Sequence, residues 1–178
     1  MKIFIDIFSG DEVLSDAMNI ESEYDDAIIS VKSKMINPDD VGNIDIGNCN
    51  EFGGDTEADH GPSDVVKVNN IITNFSLEEF FGSKKEVMAL LKERITEMRE
   101  KLADKPDRLK LWEKGGAVEE FVKKAFGQFD ECQFYMGKSY GDDEPKEGML
   151  IIAYWVDPEK DTGETFFFFK DCLRMTKV

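Results

Sequence analysis

The order of patterns along this 178-residue chain predicts an α+β fold, with strands first, a helical hairpin in the middle and strands again at the end. Three observations carry that expectation. Apolar residues alternate with period two near the amino terminus, recur at helical spacing from Ser83 onward, and return in the last third as short runs divided by turn residues.

The first element is a strand in which Ile3, Ile5 and Ile7 share one side and Lys2, Phe4 and Asp6 the other, with Ser9-Gly10-Asp11 as the turn that ends it. A second strand is expected over 27–35. Ala27, Ile29, Val31 and Met35 would share one face, and Ser30, Lys32 and Lys34 the other. From Ile36 to Asp64 all periodicity is lost. That stretch holds prolines at 38 and 62, five glycines, four asparagines and eight acids with no Lys or Arg. It cannot bury enough apolar surface to offset the entropy of ordering, so 36–64 is expected to be a long, mobile acidic loop. Strand character returns at Val65-Val66-Lys67-Val68 and at Ile71-Ile72.

Ser83 followed three residues later by Glu86 forms a capping box. Val87, Leu90, Leu91, Ile95, Met98 and Leu102 then make one apolar stripe. Pro106 forces a restart, and a second helical region carries Leu109 and Trp112, breaks at Gly115-Gly116, and resumes through Val118, Phe121, Val122, Ala125 and Phe126. Residues 83–127 are therefore expected to be an antiparallel helical hairpin. Phe134-Tyr135-Met136 leads into the acidic loop Gly141-Asp142-Asp143-Glu144-Pro145. Met149 to Val156 and Thr165 to Phe169 read as a β-hairpin around Pro158…Gly163, and the run Phe166 to Phe169 as a strand buried on both faces.

At this length residues 1–178 form one domain with a core that needs no disulfide or metal. The net charge of −16 disfavours nucleic acid and anionic membrane surfaces. No run approaches the ~20 apolar residues of a membrane span. Asp6 interrupts the opening apolar stretch too early for a signal peptide, so the chain is expected to stay in the cytosol. Cys49, Cys132 and Cys172 form no CxxC pair, which argues against a zinc ribbon or a dithiol redox motif.

The residues of enzyme sites are sparse. Gly53-Gly54 and Gly115-Gly116 lack the frame of a phosphate-binding loop. His60, the sole histidine, sits in the acidic loop with no nucleophile beside it in sequence. Asp39, Asp40 and Asp45, or Asp142, Asp143 and Glu144, could offer oxygens to calcium, but neither run has EF-hand spacing, so only weak calcium association is expected. No tightly bound cofactor is implied.

Several segments, taken in order, resemble the translationally controlled tumour protein family. Lys2-Ile3-Phe4-Ile5-Asp6 with Asp11-Glu12-Val13-Leu14-Ser15-Asp16 resembles its amino-terminal strand and turn; Gly42-Asn43-Ile44-Asp45 resembles the start of its loop. Phe129 with Phe134-Tyr135-Met136-Gly137 is similar to its second signature, and Phe168-Phe169-Lys170-Asp171-Cys172-Leu173 to its closing strand. Two positions depart from the pattern: Gly53-Gly54 is followed by Asp55-Thr56-Glu57, and Lys138 stands where the family has Glu. The resemblance implies a twisted β-tent of mostly antiparallel strands with a protruding helical hairpin, akin in shape to a Rab-binding exchange factor and to methionine sulfoxide reductase B. It implies a non-enzymatic interaction protein, associated with calcium, tubulin and microtubules, Rheb-type GTPases, growth and anti-apoptotic contacts. Glu12 matches the position implicated in GTPase binding. Lys84, Lys85 and Lys92 lie in a stretch, Ser83 to Leu102, with six bases and four acids, and are the expected tubulin-facing residues. The alternative is a thiol enzyme resembling the reductase and using Cys172 or Cys132.

Overall fold

The computed structural model describes residues 1–38 and 66–178. The expected acidic loop thus lies outside the described residues from position 39 onward. Its first residue is not loop: Ile36 belongs to a short strand.

In chain order, the amino-terminal half builds β1 (Lys2–Asp6), β2 (Glu12–Ser15), β3 (Ile20–Glu23), β4 (Ile28–Lys32) and β5 (Met35–Ile36), then β6 (Val68–Asn69), α1 (Asn70–Phe75) and β7 (Glu78–Glu79). The helical region follows as α2 (Lys84–Lys101), α3 (Pro106–Trp112) and α4 (Ala117–Gly127). The chain then returns to strand as β8 (Gln133–Met136), β9 (Ile151–Tyr154), β10 (Thr165–Phe169) and β11 (Leu173–Lys177). One sheet has the order β11-β1-β2, the larger one β3-β4-β10-β9-β8-β7, and β5 pairs with β6; every pairing is antiparallel. This is the α+β arrangement the element order called for.

The helices start and stop where the local chemistry directs. Ser83 accepts from the Glu86 backbone N–H at 3.3 Å while the Glu86 carboxylate accepts from Ser83 N–H at 3.0 Å, closing the capping box of α2. Pro106 opens α3 at its first turn, where a missing N–H costs nothing. Gly115 has φ of 81°, and a Cβ on Gly116 would lie 2.6 Å from the Leu111 carbonyl oxygen, so the α3–α4 corner needs both glycines. The hairpin rests on the larger sheet through aromatic packing. Phe121 of α4 meets Phe167 at 5.2 Å and Phe169 at 5.9 Å between ring centroids, and Trp112 meets Phe169 at 5.6 Å. On the opposite face of β10, Phe166 packs on Tyr135 at 5.4 Å. Phe166 to Phe169 are all buried, as expected for a strand covered on both sides.

Four features differ from the sequence expectations. In β1 the buried side chain is Asp6, at 1% exposure, whereas Ile7 is 37% exposed. The Asp6 carboxylate accepts from Phe8 N–H (2.9 Å), Ser9 Oγ (3.0 Å) and Met149 N–H (2.8 Å), and this satisfaction makes its burial tolerable. The single strand over 27–35 is two strands. Ser33 breaks it by donating its N–H and Oγ–H to the Glu164 carbonyl. Ile28 to Val31 are buried on both faces, since β4 lies between β3 and β10. Ile71-Ile72 is helical, because the Asn69 side chain accepts from both of their N–H groups, at 3.0 and 3.3 Å, and caps α1. β2 stands where a turn was anticipated, and β3 in a stretch for which no element was expected.

Candidate functional site

Glu12 is exposed, but it is the first residue of β2 rather than a turn residue, because it pairs with Ile5 across a register shift in β1. The backbone beneath it is held from one side by its neighbour. Asp11 is 4% exposed, and its carboxylate accepts from the Ser139 backbone N–H at 3.0 Å and from Ser139 Oγ at 2.6 Å. A Cβ on Gly137 would sit 2.5 Å from Asp11 Oδ2, so glycine is the residue that lets the two segments approach. The segment Asp11-Glu12 and the segment Gly137-Lys138-Ser139, distant in sequence, are thereby locked together. The end of α1 completes the surroundings. Ser76 adopts φ of 51° and Leu77 N–H returns to the Ile72 carbonyl at 3.0 Å, placing Asn74, Phe75 and Ser76 beside the lock. Glu12, Lys138, Asn74, Phe75 and Ser76 line one hollow of about 160 Å³.

The expected tubulin-facing lysines are all exposed. Lys84 and Lys92 line a groove of about 650 Å³ between α2 and α4, whose apolar wall includes Met88, Ile95, Val122 and Phe126; Lys85 does not line it. Two of the six bases counted in this stretch have internal roles. Arg94 donates to the Gly148 and Glu147 carbonyls (3.0 and 2.9 Å), pairs with Glu97 and lies 4.6 Å over the Phe8 ring. Arg99 Nε donates to the Trp112 carbonyl at 2.8 Å. Arg94 is thus turned inward, whereas Arg99 stays exposed and lines the α2–α4 groove beside Lys84 and Lys92.

A third cluster is structural. Arg108 grips Asp171 with two bonds, 2.8 and 2.9 Å, and donates to the Asp26 carbonyl at 2.9 Å; Trp112 Nε1 donates to Asp171 at 2.9 Å. Lys170 pairs with the Asp26 carboxylate. These bonds hold the tip of the β3–β4 turn, where Tyr24, Asp25 and Asp26 all have positive φ.

The two described thiols are poorly suited to nucleophilic chemistry. Cys172 is 1% exposed, and burial pushes its thiol well above the ordinary range. Cys132 is half-buried, reaches the Ala125 and Gln128 carbonyls at 3.4 Å, and is pushed up to about 11, mainly by burial and then by Glu131. Cys49, His60, Asp39, Asp40 and Asp45 lie outside the described residues. Asp142, Asp143 and Glu144 are all exposed. Among the described residues no group of three or more His, Cys, Asp or Glu side chains is placed to hold a metal, and no helix is long and apolar enough to cross a membrane.

Antiparallel sheets, a helical hairpin and a hollow lined by Glu12 and Lys138 define an α+β protein whose candidate site lies on its surface. The chain belongs to the translationally controlled tumour protein family, whose model matches residues 1–174. It is 34% identical over 182 residues to the homologue of Mycosarcoma maydis, covering all of both chains. It is 35% identical over 161 residues to that of Saccharomyces cerevisiae, covering 88% of this chain and 89% of the relative. Its fold is similar to that of the solved Schizosaccharomyces pombe protein p23fyp, with a TM-score of 0.73 at 27% identity and full coverage of both chains. The Caenorhabditis elegans structure shares the fold, with a TM-score of 0.68 at 19% identity over 100% of this chain and 99% of that one. The family is a non-enzymatic one.

Of the residues that line the hollow, sequence reading singled out Glu12 as a site and noted Lys138 only as a departure. Asn74, Phe75 and Ser76 gave no signal, since a left-handed serine after a short helix has no mark in the sequence.

Proposed function

We propose that this chain works in the cytosol by binding other proteins, and that its Glu12 edge receives a Rheb-type small GTPase in growth and survival control. The observation that carries the reading is the exposed Glu12 carboxylate on backbone that the Asp11–Ser139 bonds hold still. Backbone held in this way lowers part of the ordering cost when the carboxylate meets a partner's Arg or Lys in a charge-assisted bond. Titrating a purified Rheb-type GTPase against the parent chain and Glu12→Lys tests it, because the charge reversal removes the contact without touching the fold.

A second reading, contact with tubulin and microtubules, is supported by Lys84 and Lys92 flanking the apolar α2–α4 groove. Acidic partner surfaces are attracted to such a rim, and the attraction weakens with salt. Neutralising Lys84, Lys85 and Lys92 together should weaken microtubule co-sedimentation and flatten its salt dependence; an unchanged salt dependence would remove the reading. Calcium association through exposed runs such as Asp142-Asp143-Glu144 is proposed at millimolar strength only, as expected for carboxylates without a preformed cage.

A further inference from the structure

Lys138 is exposed and lines the same hollow as Glu12, yet neither charge has an ion-pair partner among the described residues, and they do not pair with each other. Glu12 directly follows Asp11 and Lys138 directly precedes Ser139, and the two Asp11–Ser139 hydrogen bonds set the spacing between the segments. Asn74 and Ser76 add neutral polar groups to the wall, and the half-buried Phe75 adds an apolar one. The base is also a local exception. Residues 138–178 carry nine acids against six bases, and Glu78 of β7 packs against the turn Lys138–Gly141, its carboxyl 2.8 Å from where a Cβ on Gly141 would be.

We infer that Glu12 and Lys138 form a two-charge reader: the hollow takes a partner surface that presents a base beside an acid, the base meeting Glu12 and the acid meeting Lys138. This rests on the proposed GTPase contact and assigns its second half. A recess with one charge attracts any surface of opposite sign. A recess with two opposed charges on backbone segments joined in this way also rejects surfaces whose charges are uniform or in the wrong order, because like charges are then brought together. Lys138 is thus a specificity-determining residue, and it orients the partner as well as attracting it.

The test titrates a purified Rheb-type GTPase against four chains: the parent, Glu12→Lys, Lys138→Glu and Lys138→Gln. All four should melt alike, because both side chains are exposed and make no ion pair. Glu12→Lys and Lys138→Glu should each weaken binding by about tenfold or more, with Lys138→Gln falling between parent and Lys138→Glu. If Glu12→Lys loses binding while Lys138→Glu binds as the parent does, or more tightly, the GTPase contact stands and the two-charge reading is overturned. If Glu12→Lys binds as the parent does, the contact itself is absent and the reading falls with it.

Discussion

Asp11, just before β2, accepts hydrogen bonds from both the backbone N–H and the hydroxyl of Ser139, 128 positions away, just after β8. The three-stranded sheet is thereby tied to the six-stranded one at a buried carboxylate, as it is again at Asp6 and Met149. The two segments by which the chain resembles its family at these points are one structural joint. Replacing Asp11 by Ala would leave the Ser139 donors unmet and should destabilise the protein by about 2–3 kcal/mol in chemical denaturation. Ser139→Ala, which removes one bond and no buried charge, should cost about 1 kcal/mol. Equal effects would show that the joint is not centred on Asp11.

The Arg108–Asp171 pair should matter more than any ion pair on the outer surface. Its two bonds, with the Trp112 indole on the same carboxylate, join α3 to the turn before β11. Arg108→Ala should destabilise by about 2 kcal/mol, whereas removing the exposed Lys123–Glu119 pair should change stability by less than about 0.5 kcal/mol. A thermal melt of the two variants separates these outcomes.

Asp26 and Glu164 should leave opposite marks on stability as pH changes. The hydrogen bond from Lys170, then that from Ser22, holds the Asp26 carboxyl below the ordinary range. Its stabilisation is present above the unfolded-state value and is lost as pH falls through the folded one. Burial, then the neighbouring Glu79, pushes Glu164 up, so its ionised form costs stability at neutral pH and the cost fades as it protonates. Asp26→Asn should therefore lower the melting temperature at pH 7, with the gap closing in acid. Glu164→Gln should hold or raise it at pH 7, and that advantage should also shrink in acid. Melting curves between pH 3 and pH 7, about the span of ordinary carboxyl titration, read both signs.

The described thiols should be inert in the native state. Cys172 should resist a thiol reagent until global unfolding, and Cys132, pushed up to about 11, should react slowly at pH 8. Methionine sulfoxide turnover should be absent from the parent, as it should from Cys132→Ser and Cys172→Ser. Turnover lost on either substitution would restore the thiol-enzyme alternative.

Much of this architecture was legible in the sequence, because its signals are local. The Ser83–Glu86 box, the stripe from Val87 to Leu102, the Gly115-Gly116 break and the Phe166–Phe169 run each act through neighbours within a few residues. What was not legible depends on distant partners. Asp6 is buried because Met149 N–H arrives from elsewhere in the chain, and the 27–35 strand breaks because Ser33 finds Glu164. Ile71-Ile72 has β-branched residues but becomes helical because Asn69 caps it. The hollow was the least legible part. Glu12 could be marked, but its companions come from α1 and the end of β8, and only the folded chain brings them together.

The central claim is that Glu12 serves partners and not the fold, and one paired measurement tests it most directly. The melting temperature of Glu12→Lys and its affinity for a Rheb-type GTPase should be determined beside Glu100→Lys, an equal charge change at an exposed position of α2. Both variants should melt with the parent, since an exposed charge without an ion pair contributes about 0–1 kcal/mol to folding. Only Glu12→Lys should lose binding, by about tenfold or more. If it binds normally the GTPase contact is elsewhere, and if it melts far below the parent Glu12 is a structural residue and the claim is wrong.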